Sequence, residues 1–252
     1  KSHNDFTEKC YILNNQPRYK VNNKIAVYIN LRKKTLWYGL SAMQNDFFSK
    51  HLVIIGGCGH VGLPLGLAFA HRMLGKGNGR VTLIDINENA VQSLNKGIIP
   101  FKEEGAEEIL AECLEKNLFV TTDKSVVTQA DVICFVTGTP IDEHLNPRIK
   151  EVVDTINEYA AYFTEKQLII LRSTLYPGTT KLIENILVNK SKAYKLAFCP
   201  ERIQQGKGIS EIFNLPQLIS GTSAEAEKEA TELFSVIADK TILLSTEEAE
   251  LA

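Results

Sequence analysis

From His51 onward, short apolar runs alternate with longer stretches in which apolar and polar residues recur at helical spacing. The runs "HLVIIG", "GRVTLID", "NLFVTT", "DVICFVT", "QLIILRS", "KLAFCP", "PQLISG" and "TILLS" predict strands. Most are continuously apolar rather than alternating, as expected of strands covered on both faces. Between them the pattern predicts helices over Val61–Leu74, Glu88–Asn95, Glu103–Lys116, Ile149–Phe163, Thr179–Val188 and Ala224–Ala238. This alternation predicts an α/β fold, a Rossmann-like, doubly wound and mostly parallel sheet with helices on both faces.

Residues 1–50 break the pattern. The stretch "KIAVYINLRKKTLWYG" alternates Ile25, Val27, Ile29 and Leu31, and predicts a hairpin turning near Arg32–Lys34. Charge changes there too. Residues 1–50 hold nine Lys and Arg against three Asp and Glu, a net of +6, and the remainder of the chain carries −8. The shift places a boundary near Lys50. The extension reads either as an appended ribbon or as a basic docking element, and the sequence leaves both open.

The 252 residues suffice for one large domain or two small ones. An apolar content of 44% and a charged content of 23% are those of an ordinary globular protein. No apolar run approaches the ~20 residues of a membrane span. A net charge of −2 gives no footprint for nucleic acid. The five cysteines, Cys10, Cys58, Cys113, Cys134 and Cys199, form no CxxC pair. That speaks against a disulfide framework or a metal site and fits a reducing cytoplasm. The chain opens at Lys1 rather than at a methionine, which leaves its natural start open.

The strongest chemical signal follows the first long run. Gly57-Cys58-Gly59-His60-Val61-Gly62 is G-x-G-x-x-G between a predicted strand and a predicted helix. Gly57 is expected to allow the tight turn. Gly59 would let the backbone approach a pyrophosphate, and Gly62 would let the helix pack on the sheet. Phosphates would sit on free N–H groups at the positive end of the helix. The next strand ends on Asp85, whose carboxylate suits the ribose hydroxyls of NAD and repels the extra phosphate of NADP. The bland reading of Asp85 is a helix N-cap, a job for which Asn87 competes. Ligands of such sheets bind beyond the carboxyl ends of the strands. There the sequence places Thr137-Gly138-Thr139-Pro140, Arg172-Ser173-Thr174 and Pro200-Glu201-Arg202, followed by the basic loop Gly206-Lys207-Gly208.

Taken together, "GCGHVGLPLGLAFA", "VQSLNKGIIPFKEEG", "VTGTPIDEHLNP", "RSTLYPGTT" and "FCPERIQQGKG" resemble the nucleotide-sugar 6-dehydrogenase family, the UDP-glucose/GDP-mannose dehydrogenases. The resemblance runs from about His51 to Ala252. It implies NAD as cofactor and the oxidation of the C6 alcohol of a UDP-sugar to a carboxylate with two NAD⁺. A cysteine of a later domain would form the covalent intermediates. It also implies that His60 and Val61 lie under the pyrophosphate, Asp85 on the adenosine ribose, and Thr139 and Thr174 on the nicotinamide side. By the same match Thr174 and Glu201 are the catalytic candidates, and Glu201, Arg202 and Ile203 touch the sugar substrate.

Two departures refine this. "PERIQQG" puts Gln205 where UDP-glucose enzymes carry a glutamate, so the chain looks more like the branch acting on UDP-N-acetylmannosamine or UDP-N-acetylglucosamine. His60 replaces a commoner tyrosine at a place where the backbone does the binding. The implied organisation is an extension over 1–50, the NAD-binding domain over 51–245, and the start of an inter-domain helix over 246–252. The central and UDP-binding domains lie outside the chain. None of the five cysteines matches the nucleophile, so the chain alone is expected to bind NAD without turnover. The resemblance implies a homodimer for the whole protein and leaves the state of this chain open. UDP-glucose 6-dehydrogenase and a non-catalytic nucleotide-binding module remain alternatives. A β-hydroxyacid dehydrogenase is a further rival, opposed by "PERI" and "GTPIDEHLNP".

Overall fold

The computed structural model describes residues 9–13, 16–21, 24–27, 30–31, 34–35, 47–138, 148–188 and 194–252. The chain forms two compact units, Lys1–Asp46 and Phe47–Ala252. In the first, β1 (Lys9–Leu13), β2 (Gln16–Val21) and β3 (Lys24–Val27) make an antiparallel meander. Strands β4 (Asn30–Leu31) and β5 (Lys34–Thr35) pair antiparallel, as the hairpin expected near Arg32–Lys34 requires.

The second unit is built on strands β6 (His51–Ile55), β7 (Arg80–Ile84), β8 (Leu118–Thr121), β9 (Val132–Phe135), β10 (Leu168–Leu171), β11 (Lys195–Phe198), β12 (Gln217–Gly221) and β13 (Thr241–Leu243). They form one sheet of eight strands in the order β13-β12-β11-β10-β9-β6-β7-β8. All neighbours are parallel except β11 and β12. The order of β6 to β11 is the doubly wound 3-2-1-4-5-6 arrangement, and the chain reverses direction across the sheet between β6 and β9.

Apolar runs become strands here because both faces are covered. In β6, Leu52 and Ile54 enter one buried cluster while Val53 and Ile55 enter the other. The first face carries α1 (Gly62–Met73), α2 (Glu88–Asn95), α3 (Ala106–Cys113), α6 (Gly208–Asn214) and α7 (Ala224–Phe234). The second carries a 3-10 segment (Lys124–Gln129), α4 (Ile149–Ala160), α5 (Thr179–Val188) and α8 (Thr246–Glu250). Helix α1 lacks a polar face because it is wrapped: every residue from Gly62 to Ala70 is buried.

Several boundaries differ from expectation. Helices α3, α4 and α7 end at Cys113, Ala160 and Phe234, short of the expected Lys116, Phe163 and Ala238. The third helix starts at Ala106, not Glu103, because Gly105 takes a left-handed φ of 76° and the helix begins only beyond it. The 3-10 segment and α6 had no periodic signal. Residues 47–50 join the second unit: Phe47 is buried in its core and the Phe48 carbonyl accepts the Gly79 amide at 2.6 Å. Among the described residues no helix is long and apolar enough to cross a membrane.

Candidate functional site: a dinucleotide cradle at the switch point

The glycine turn leaves the carboxyl end of β6 beside β9, at the point where the strand order reverses. The left-handed φ falls on Gly56, at 81°, and not on Gly57. Gly57 has a different job from the one expected of it. A Cβ there would lie 2.6 Å from the Leu83 Cβ, so Gly57 permits close contact with β7. A Cβ on Gly62 would lie 2.3 Å from the Gly56 carbonyl oxygen, which fixes the helix start against the turn. At Gly59 the nearest protein atom would be 3.6 Å away, so that face is open. The Gly59 carbonyl accepts the Leu63 amide at 3.0 Å, and no protein acceptor among the described residues takes the amides of His60, Val61 or Gly62. Three successive free N–H groups at the start of a twelve-residue helix form an anion cradle, and they fit a pyrophosphate.

Asp85 stands across from this cradle. Its Oδ2 accepts the Cys58 amide at 3.0 Å and its Oδ1 accepts the Asn87 amide at 3.0 Å. Asn87, not Asp85, caps α2, accepting the Ala90 amide through its side chain at 3.1 Å. The division of labour follows from position: Asp85 ends the strand, and Asn87 immediately precedes the helix. A carboxylate has about four acceptor sites, so two remain on Asp85 for ribose hydroxyls.

The remaining rim is stitched by long-range bonds. Ser173 Oγ donates to the Thr137 carbonyl at 2.5 Å, joining the ends of β10 and β9. Thr174 is exposed and lies in a small recess with Arg148, Val152, Leu175 and Tyr176. Thr139 falls outside the described residues. Arg172 is fully buried; it pairs with Glu201 Oε2 and donates to the Gln217 side chain at 2.8 Å and the Cys199 carbonyl at 3.1 Å. Its guanidinium carbon lies 4.6 Å from the centre of the Phe234 ring. The second oxygen of Glu201 accepts the Arg202 amide at 2.8 Å. Both oxygens of this catalytic candidate are thus engaged, and removing either ionic partner would strand a buried charge at a cost of about 3–5 kcal/mol. The Arg202 guanidinium donates to the Pro216 carbonyl at 2.6 Å, and Ile203 packs against Gly208.

Beside the cradle opens a cleft of about 720 Å³, lined by His60, Lys102, Glu104, Gln205, Gly206 and Lys207 among others. The His60 ring lies on Phe101, with centres 4.0 Å apart. Arg202 and Ile203 do not line this cleft. None of the four described cysteines lines it. Burial pushes the Cys58, Cys134 and Cys199 thiols up to about 12, with Asp85 adding to the effect at Cys58. Burial likewise raises Cys113 to about 11, helped by Glu112. A thiol so shifted holds a negligible thiolate fraction near neutrality.

Two residues of the site, Gly56 and Glu103, escape the sequence reading, and a third, Arg172, is read without its partner. Gly56 was hidden beside the motif, and only the doubled glycine hinted at it. Arg172 reads as an ordinary rim residue until its pairing with Glu201 is seen. Glu103 reads as a helix-start acid, and its partners lie about a hundred residues downstream.

Residues 50–238 match the UDP-glucose/GDP-mannose dehydrogenase family, NAD binding domain. The UDP-glucose 6-dehydrogenase TuaD of Bacillus subtilis is 29% identical over 212 residues, covering 80% of this chain and 44% of that protein. A UDP-N-acetyl-D-mannosamine dehydrogenase of Methanococcus vannielii is 29% identical over 208 residues, covering 80% and 46%. In fold, the chain is similar to the UDP-D-ManNAc dehydrogenase of Pyrococcus horikoshii, with a TM-score of 0.73 at 24% identity, over 80% of this chain and 48% of that one. The chain therefore spans about half the length of these relatives. With the family match spanning residues 50–238, the chain belongs to the UDP-glucose/GDP-mannose dehydrogenase family and carries its NAD-binding domain.

Proposed function

We propose that this chain is the cofactor half of a UDP-N-acetylhexosamine 6-dehydrogenase. The free amides of His60, Val61 and Gly62 facing Asp85 carry this reading, because together they supply a pyrophosphate site and a ribose acceptor. The bound cofactor would supply the hydride acceptor. In this account the chain's own residues do the following. The three amides neutralise the pyrophosphate. Asp85 takes the ribose hydroxyls and disfavours a 2′-phosphate. Thr174, exposed at the end of β10, offers a hydroxyl to the reacting carbon's oxygen or to water. Glu201 keeps the rim in place through Arg172 and has lone pairs left for a proton. The buried thiols leave the covalent step to a cysteine outside this chain, so the chain alone binds NAD and turns over nothing.

The N-acetylated sugar is favoured because Gln205 lines the cleft with an amide where a carboxylate marks UDP-glucose enzymes. The likeness to a UDP-glucose dehydrogenase supports the second reading. Calorimetric titration of this chain is expected to show binding of NAD⁺ and much weaker binding of NADP⁺; a preference for NADP⁺ would contradict the role of Asp85. Assays of NADH formation by the whole protein on each UDP-sugar decide the substrate, and faster turnover of UDP-glucose would select the second reading.

A further inference from the structure

The loop Gln204–Gly208 looks in sequence like a phosphate cradle, rich in glycine and carrying Lys207. Two of its amides, those of Gln204 and Gly206, are already taken by carboxylates of the protein, and the Lys207 amide by the Gln204 carbonyl. Glu103 is 6% exposed. Its Oε2 accepts the Gly206 amide at 3.1 Å and its Oε1 the Ile209 amide at 3.2 Å. The Glu104 amide returns a bond to the Gly206 carbonyl at 3.2 Å. Glu211 takes the Gln204 amide at 2.6 Å. Gly206, at a φ of 84°, is what lets one residue offer both its N–H and its C=O to the 103–104 segment. No Lys or Arg pairs with Glu103 among the described residues, so its charge is held by backbone N–H groups alone.

The position of this clamp gives it a consequence. Two residues before it, Phe101 stacks on His60 of the cofactor turn. The short segment from Phe101 to Glu103 therefore ties the cofactor turn to the loop across the cleft. With the Gly206 and Lys207 amides taken, that wall is lined by Gln205, Gly206 and Lys207, and Gln205 and Lys207 supply its side chains.

We propose that Glu103 is the positioning residue of this wall: its carboxylate fixes the Gln205–Lys207 loop relative to the glycine turn, and so sets the width of the cleft. The identity of the ligand, a nucleotide sugar, rests on the function proposed above; the clamp does not.

Two measurements test it, each with E104Q as control, since Glu104 lines the same cleft and its loss changes the charge without touching the clamp. In the first, hydrogen exchange is followed on the 252-residue chain. E103Q turns one acceptor into a donor facing an N–H. The amides of Gly206 and Ile209 are expected to exchange about tenfold faster in E103Q, the scale of one charge-assisted bond lost, and to be unchanged in E104Q. Equal exchange in E103Q and wild type overturns the proposal. In the second, the whole protein oxidises UDP-N-acetylmannosamine or UDP-glucose, whichever it turns over. E103Q is expected to raise the KM for the sugar nucleotide about tenfold while kcat and the KM for NAD stay within about twofold. An equal KM rise in E104Q overturns it, because charge in the cleft would then explain the effect. If E103Q fails to accumulate as folded protein, E103D reads the same clamp, since its stem is one methylene too short to reach both amides. Should the wild type oxidise no nucleotide sugar, the function proposal fails, and exchange alone still decides the clamp.

Discussion

Gly59 and Gly62 share a motif and differ in what surrounds them. At Gly62 the added methyl of alanine meets the Gly56 carbonyl at 2.3 Å, backbone against backbone, so Gly62→Ala is expected to destabilise the fold by about 1–3 kcal/mol. At Gly59 the same methyl meets only the Gly56 carbonyl oxygen, at 3.6 Å, and points into the open cradle. Gly59→Ala is expected to keep the melting temperature and to weaken NAD binding by about tenfold or more. Calorimetry and thermal melting on both variants separate the two roles.

His51 makes a second case at this scale. Its Nδ1 lies 3.1 Å from the Gln129 carbonyl, which only accepts, so Nδ1 carries the hydrogen and Nε2 accepts from the Thr82 hydroxyl at 2.8 Å. Burial, with Arg80 nearby, lowers its pKa from the ordinary 6.5. A lowered native value means that the unfolded chain takes up the proton first. The stabilisation is complete above 6.5 and is lost as the pH falls from there toward the native value. Urea midpoints at pH 7.5 and pH 5.5 are expected to show this loss in the wild type and a smaller one in His51→Gln.

At the scale of elements, the strands were legible because their composition has one dominant cause. Runs such as "VICF" and "LIIL" are buried at every position, and only a doubly covered strand demands that. The edge strands β8 and β13 are less apolar, in keeping with their partial exposure. Helix ends were harder. Gly105 stopped the third helix three residues short of the expected start, and α6 is too short for a period to emerge. Of the site, the glycine turn and Asp85 were legible because their spacing is local. The pairing of Arg172 with Glu201 and the Glu103 clamp were not, since nothing in the chain announces a contact between distant segments. Caps are local as well, and their cost is separable from binding. Ser223 accepts the Ala226 amide at the start of α7, far in sequence from the cradle. Ser223→Ala is expected to lower stability by about 1 kcal/mol in urea titration with NAD affinity unchanged.

For the molecule as a whole, the doubly wound sheet converts local signals into one site. The turn after β6 lies against the backbone at the end of β9, and Ser173 ties the end of β10 to Thr137, because the strand order reverses between β6 and β9. The family match over residues 50–238 and the compact unit from Phe47 agree on where this machinery begins.

The four buried thiols sit at different depths of this unit, and that gives the protein a built-in set of reporters. In a Cys10→Ser background, an alkylating reagent is expected to leave Cys134 and Cys199 intact until the sheet itself opens. Cys58, inside the glycine turn, would be modified earlier, and more slowly once NAD occupies the cradle. Mass spectrometry of each tagged peptide over time would then separate breathing of the nucleotide loop from rupture of the core, without any added fluorophore.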